Sequence, residues 1–278
     1  MRHHFTVDVE EYFQVSALER VVDRAAWEAH PSRVAASVHA LLDLLAAADA
    51  RGTFFVLGWV AERQPALVRA IAAAGHELAS HGYDHRRITD TDAAAFRASV
   101  RRTREALEQL GGAPVRGFRA PSYSIVPGRE WALDVLIEEG YTYDSSLFPV
   151  RRPGGAYGYP DAPADPYWLT RAAGRLAELP PATLSLGGWR LPAGGGAYFR
   201  VLPYALTRAA LRACERRGVP GTFYIHPWEL DPGQPRLPVS WLTRLRHYTG
   251  LAGTQARLAR LLREFRFTTM AESVATLC

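Results

Sequence analysis

The chain has 278 residues, 48% hydrophobic and 22% charged, which supplies enough apolar surface for a folded core and rules out extended disorder. The formal charge of +5 comes from arginine alone, with no lysine, and the densest run (Arg97, Arg101, Arg102, Arg104) is followed by Glu105 and Glu108 in a helical pattern. That pattern is a solvated helix face, so no nucleic-acid partner is expected. No apolar stretch reaches the roughly 18 residues that span a bilayer, so no transmembrane segment is expected. No signal peptide is visible before Phe5-Thr6-Val7. Cys214 and Cys278 form neither a metal-ligand nor a redox spacing. A cytoplasmic location fits, with a periplasmic one open if a leader has been removed.

Residues 5–9 alternate as a first strand, which places Asp8 and Glu10 on one side because strand side chains repeat every two residues. Residues 32–49 follow as a helix, with Ser32 as N-cap and Val34, Val38, Leu41, Leu42 and Leu45 at helical spacing. Residues 53–57 read as a strand buried on both faces. A helix over 65–74 ends at Gly75, and residues 76–80 make a third strand running into His81-Gly82-Tyr83-Asp84-His85. The alternation continues with a helix over 91–110, a strand over 115–119, a helix over 130–139 and a strand over 141–144. Such alternation argues for parallel βαβ units, closed into a barrel or wound into an open sheet.

Residues 149–200, rich in Pro, Gly and Tyr, break the rhythm and are expected to form an insertion with short strands at 175–179 and 188–191. Gly194-Gly195-Gly196 lacks the Lys or helix-opening Ser of a phosphate loop and reads as a tight turn or close backbone approach. Helix resumes over 202–217, and a strand over 221–225 is closed by His226-Pro227-Trp228. Intermittent helix then runs from Trp241 to Phe265, and residues 266–270 could form a last strand. One domain over 1–278 is expected, with 149–200 as insertion and 238–278 as C-terminal extension.

Asp8, Glu10, His81, His85, Arg119, Asp144 and His226 all fall at or just after the C-terminal end of a strand, where parallel α/β folds gather functional groups. His81 and His85 share a face if Gly82 begins a helical turn, and two histidines with one carboxylate leave open positions on a divalent metal. Carboxylates as close as Asp8 and Glu10 would repel unless one ligates a cation, which leaves the other free as a base. Which of Asp8, Glu10 and Glu11 takes which role stays open. Arg119 beside that base would keep it ionised and oriented. His226 is either a core histidine or a general acid, with Asp144 as orienting partner in the second case.

In order, Thr6-Val7-Asp8-Val9-Glu10, His81-Gly82-Tyr83-Asp84-His85, Arg119-Ala120-Pro121, Tyr143-Asp144-Ser145-Ser146 and Ile225-His226-Pro227 resemble the five motifs of the polysaccharide deacetylase superfamily, carbohydrate esterase family 4. Residues 8–13, 194–200 and 226–236 look like the subgroup found with exosortase and exopolysaccharide loci. The resemblance implies an α/β fold, a distorted (β/α) barrel of about seven parallel strands. It implies a divalent metal, zinc first with cobalt or nickel as alternatives, held by Glu10, His81 and His85. Asp8 would be the general base, steadied by Arg119, and His226 the general acid, tuned by Asp144. Ser122 and Tyr123 would face the substrate and its oxyanion, and Tyr198 and Phe199 would either line the sugar groove or pack in the fold.

Two motifs depart from the family pattern: the carboxylates are spaced Asp8-x-Glu10 instead of adjacent, and Ser122 stands where an aromatic usually follows the proline. The implied activity is hydrolytic N-deacetylation of amino sugars in a bacterial exopolysaccharide, with an N-acetylated polysaccharide or oligosaccharide as partner. An allantoinase-like cyclic-amide hydrolase and a glycan-binding protein without turnover are the alternatives. The oligomeric state is left open.

Overall fold

The computed structural model describes residues 1–151 and 157–277. Cys278 and residues 152–156 of the expected insertion lie outside the described residues. Eleven strands follow in chain order: β1 (His3–Val9), β2 (Thr53–Val56), β3 (Glu77–Ser80), β4 (Gly117–Phe118), β5 (Tyr143–Asp144), β6 (Tyr167–Arg171), β7 (Gly174–Glu178), β8 (Thr183–Leu186), β9 (Trp189–Pro192), β10 (Thr222–Ile225) and β11 (Phe267–Thr268). The helices are α1 (Val34–Ala47), α2 (Gly58–Arg63), α3 (Pro65–Ala73), α4 (Ala93–Gly111), α5 (Trp131–Glu138), α6 (Gly196–Val201), α7 (Tyr204–Arg217), α8 (Trp241–Tyr248), α9 (Leu251–Glu264) and α10 (Met270–Val274).

The main sheet runs β10-β1-β2-β3-β4-β5-β7-β6, with β11 beside β1. Pairing is parallel throughout except between β6 and β7. The sheet curls into a distorted (β/α) barrel, as expected. Where a regular barrel would close with another strand, single parallel bridges from Pro181 to Thr222 and from Gly195 to Tyr224 span the gap. The strand expected at 175–179 is therefore not an ornament of an insertion, since β7 pairs with β5 as a barrel strand.

Alternation sorts the side chains. Phe5, Val7 and Val9 of β1, Phe54 and Val56 of β2, Phe118 of β4, and Phe223 and Ile225 of β10 belong to the large core under the helices. Their neighbours point the other way, where Phe55, Ala79, Tyr143 and Ala177 form a smaller cluster inside the barrel, plugged by Met270. The Met270 amide donates to Thr53 Oγ1 at 2.8 Å. Continuing that inward period to the strand ends delivers Thr6, Asp8, His81, Arg119 and His226 to one mouth.

Helix α1 departs from expectation at its start. It begins at Val34, and Ser32 does not cap it. Glu11 takes that place: its carboxylate accepts from the amides of Arg33 (2.9 Å) and Val34 (3.2 Å), and Ser32 Oγ donates to the same carboxylate. An anion at a helix N-terminus satisfies orphan amides and the helix dipole together. Glu11 is thereby withdrawn from the mouth of the barrel. Among the described residues, no helix is long and apolar enough to cross a membrane.

The triple glycine is a close backbone approach. Gly194 O accepts from the Tyr224 amide at 2.8 Å, and Gly195 has φ +145. A Cβ on Gly195 would lie 1.8 Å from Tyr224 O. Gly195→Ala should therefore displace β10 just before His226, destabilising the chain by about 2 kcal/mol or more. Chemical denaturation should show a lowered midpoint, and an unchanged midpoint would contradict this role.

Candidate active site

Glu10, His81 and His85 offer one ligand atom each, all within 4.8 Å of one another and all buried. Glu10 follows β1, and both histidines follow β3. The expected helical turn is absent: residues 81–87 are an irregular loop in which Gly82 (φ +74) and His85 (φ +54) adopt left-handed conformations. Those two reversals, not a helical repeat, turn the imidazoles together, with ring centroids 5.4 Å apart. The loop is tied down by Gly58 N to Gly82 O (2.9 Å), Trp59 N to Tyr83 O (2.9 Å) and Arg24 Nε to Asp84 O (3.1 Å).

His81 Nδ1 donates to Arg119 O at 2.8 Å, which leaves its Nε2 free to ligate. Burial holds the His81 pKa down to about 4, so the ring is neutral as a ligand must be. Glu10 Oε1 accepts from Trp228 Nε1 at 3.0 Å. Glu10 Oε2 is buried and makes no hydrogen bond among the described residues, yet lies 2.8 Å from His85 Nε2. An orphaned carboxylate oxygen facing two imidazoles, with ligands of borderline softness, fits a divalent cation that keeps open positions.

Arg119 is fully buried at the end of β4. Its Nη1 reaches Asp8 Oδ1 (2.7 Å) and Thr6 Oγ1 (2.8 Å), and its Nη2 reaches Ser145 Oγ (2.9 Å). Asp8 Oδ2 is left facing His226 Nε2 at 3.8 Å, and Glu10 Oε1 is also 3.8 Å from that nitrogen.

The expected partnership of Asp144 with His226 does not occur. Asp144 accepts from Ser146 Oγ (2.6 Å) and Ser146 N (3.1 Å), beside Glu178 on β7. Burial raises its pKa to about 6. The partner of His226 is Glu229, whose Oε1 meets Nδ1 at 2.7 Å. Pro227 opens a short 3-10 turn that brings Glu229 back under the ring. Burial opposes charge on His226, but the Glu229 hydrogen bond and the charges of Glu10, Glu229 and Asp8 outweigh it and lift its pKa to about 9. Burial likewise disfavours charge on Glu229, which buried Arg200 and His226 overcome, holding it down to about 2. Sequence reasoning missed Glu229 and Arg200, although both sit in the segments 226–236 and 194–200 that it singled out.

Ser122 (φ 55) and Tyr123 (φ 53) form a tight turn after Pro121. The Tyr123 amide donates to Ala120 O at 3.0 Å, whereas the Ser122 amide has no acceptor among the described residues. Ser122 N–H is therefore the free donor. These groups line a cleft of about 430 Å³ together with Phe148, Tyr198 and Tyr224. Of the two alternatives for Phe199, packing is the one realised: it is buried against Phe223 at 5.0 Å in the main core.

A distorted (β/α) barrel with two histidines and one carboxylate gathered at its mouth defines a barrel protein with a cluster that could hold a metal ion. Residues 27–142 match the polysaccharide deacetylase family and residues 145–275 match a domain of unknown function, DUF3473. The polysaccharide deacetylase match thus covers somewhat less than half of the chain, from ahead of α1 to the start of β5. It is 32% identical over 117 residues to a peptidoglycan-N-acetylglucosamine deacetylase of Bacillus cereus, covering 38% of this chain and 42% of that protein. The chain thus spans less than half the length of that relative. In structure it is similar to a Mycobacterium smegmatis protein assigned to the polysaccharide deacetylases (TM-score 0.67, 24% identity, 99% of this chain and 88% of that one). It is also similar to Puue allantoinase (TM-score 0.64, 18% identity, 98% and 88%). At these identities the likeness is one of fold.

His81→Ala or His85→Ala should reduce bound divalent metal from one per chain to near none by elemental analysis, whereas Glu11→Gln should retain it. Full occupancy in either histidine variant would remove these residues from the centre.

Proposed function

We propose that the chain is a metal-dependent deacetylase that hydrolyses N-acetyl groups on amino sugars of a bacterial exopolysaccharide, releasing acetate. One observation carries the reading: a carboxylate oxygen held free by an arginine and an imidazole held charged by a glutamate face each other beside the Glu10, His81 and His85 cluster. The family match and the deacetylase named among the relatives support it. The chain acts as one unit in this reading, since residues on both family matches, and Asp8 and Glu10 before either, line one cleft.

Glu10, His81 and His85 would hold the cation, zinc by the donor set, which polarises the acetamide carbonyl and lowers the pKa of water beside it. Asp8 Oδ2 takes a proton from the attacking water, its other oxygen being anchored on Arg119. The Ser122 amide donates to the oxyanion as the carbonyl carbon becomes tetrahedral. His226 Nε2 then protonates the amine nitrogen as the C–N bond breaks, so acetate and a free amino sugar result. Exposed Leu242 and Arg246 on one wall leave the cleft open along α8, which suits a polymer better than a small cyclic amide needing enclosure.

Chelation should abolish acetate release from N-acetylhexosamine oligomers, and restored zinc should recover it. Undiminished turnover without metal would sink the mechanism. Asp8→Asn should lower kcat by about 10²–10⁴-fold while metal stoichiometry stays intact, and metal loss in that variant would make Asp8 a ligand.

The acid role has a pH signature. His226 must be protonated to act, so activity is present below its pKa and lost as pH rises through it. Glu229 raises that pKa, so Glu229→Gln should move the alkaline limb of kcat/KM to lower pH. A limb that stays in place would remove Glu229 from control of the acid.

A further inference from the structure

Helix α8 forms one lip of the cleft and turns its apolar residues outward. Trp241 is 72% exposed and Leu242 59% exposed, and Leu245 is exposed beside them. At 100° per residue, Trp241, Leu245, Leu242 and Arg246 follow one another round a single face, since Trp241 and Leu245, and Leu242 and Arg246, are each four apart. The inner edge of that face, Leu242 and Arg246, lines the same cleft as Asp8, Glu10 and His226. The apolar face is thus the outward continuation of the active site.

Its charge is one-sided. From residue 232 to residue 263 the sequence holds no Asp or Glu. Arg244 and Arg246 have no acidic partner among the described residues, nor has Arg236, which lies over the Tyr248 ring at 4.3 Å. Arg87, which also lines the cleft, is by contrast neutralised by Glu19 (3.0 Å) and Asp90 (2.8 Å). The α8 lip therefore offers an indole and aliphatic platform next to guanidinium groups with no anion to satisfy them.

We infer that the α8 lip is a substrate subsite for an acidic glycan: Trp241 and Leu242 take the apolar face of a pyranose ring, Arg246 takes the carboxylate of a uronic-acid-type residue flanking the N-acetylated sugar, and Arg244, further round the helix, adds unpaired positive charge to the lip. A sugar ring presents C–H groups on its face and polar groups on its rim, which this platform matches. A planar guanidinium pairs with a carboxylate through two parallel hydrogen bonds. Eight residues of α8 rise about 12 Å, room for more than one sugar ring beyond the metal centre. The inference rests on the deacetylase reading and adds the charge of the polymer to it.

Two measurements on the metal-loaded full chain separate the inference from that reading. The first is calorimetric binding of a galacturonic acid hexamer, which carries carboxylates and no acetamide, against a neutral galactose hexamer. The acidic hexamer should bind about tenfold tighter or better at low salt, and less so as salt rises. Arg244→Glu with Arg246→Glu should remove the preference, with Trp241→Ala weakening both sugars; circular dichroism checks folding. The second is acetate release from an alternating N-acetylglucosamine–glucuronic acid oligomer against an N-acetylglucosamine oligomer of equal length. The acidic substrate should show a lower KM in the parent chain and lose that advantage in the double arginine variant. Binding of the uronate hexamer without acetate release from either oligomer would keep the subsite and sink the deacetylase. Acetate release with equal KM, or a uronate preference that survives the double variant, would overturn the subsite and keep the deacetylase. Sedimentation with phosphatidylglycerol vesicles without any uronate binding would assign the face to a membrane and overturn the inference.

Discussion

A guanidinium with no solvent exposure sits inside this barrel, and its contacts tie several strands together. Arg119 reaches from β4 to Asp8 and Thr6 on β1 and to Ser145 after β5, and lies over the Phe55 ring of β2 at 4.2 Å. Its backbone carbonyl fixes the tautomer of His81 after β3. A buried charge is tolerated only when paired and hydrogen-bonded, and removing one partner of such a pair costs about 3–5 kcal/mol. Asp8 is thus both the group that makes Arg119 tolerable in the interior and the group Arg119 leaves with one free oxygen. Stability and the proposed proton transfer draw on the same ion pair, which restricts what either residue can become.

The placement of Asp8 and Glu10 was legible because it depends on the two-residue period of a strand. Once residues 5–9 read as β, Asp8 and Glu10 had to share a side, and the structure places both at the mouth of the barrel. His81 and His85 were found for a partly wrong reason, since four-residue spacing suggested a helical turn where two left-handed residues do the turning. Their convergence depends on backbone φ values at Gly82 and His85 that spacing alone does not encode. Glu11 could not be separated from its neighbours by sequence, because the amides it caps lie 22 and 23 residues further along.

The surroundings of His226 were read less well. Asp144 had the right position at a strand end but lies among Ser146 and Glu178, where strand pairing puts two buried carboxyls side by side. Glu229, only three residues from His226, was reachable in principle, since a proline after the histidine favours a turn that returns the third residue to the ring. Arg200 was not reachable, because nothing local links it to a residue 29 positions away. His226, Glu229 and Arg200 all lie within the domain of unknown function, and His81, His85 and Arg119 lie in the deacetylase match. The cleft needs both halves, and the shared sheet through β1 and β10 is what joins them.

Arg200 also couples the chemistry to the shape of the cleft. Its Nε meets Glu229, while Nη1 donates to Thr249 O at 2.5 Å and Nη2 to Arg246 O at 3.3 Å. Those carbonyls belong to the C-terminal end of α8, which carries the negative end of the helix dipole and orphan acceptors that a buried cation satisfies. One guanidinium thus orients Glu229, the partner of His226, and docks the helix that walls the cleft. Because the same side chain makes both contacts, a shift of α8 would leave Arg200 donors without their carbonyls or pull it from Glu229. The position of the lip and the orientation of His226 are therefore not independent variables in this fold.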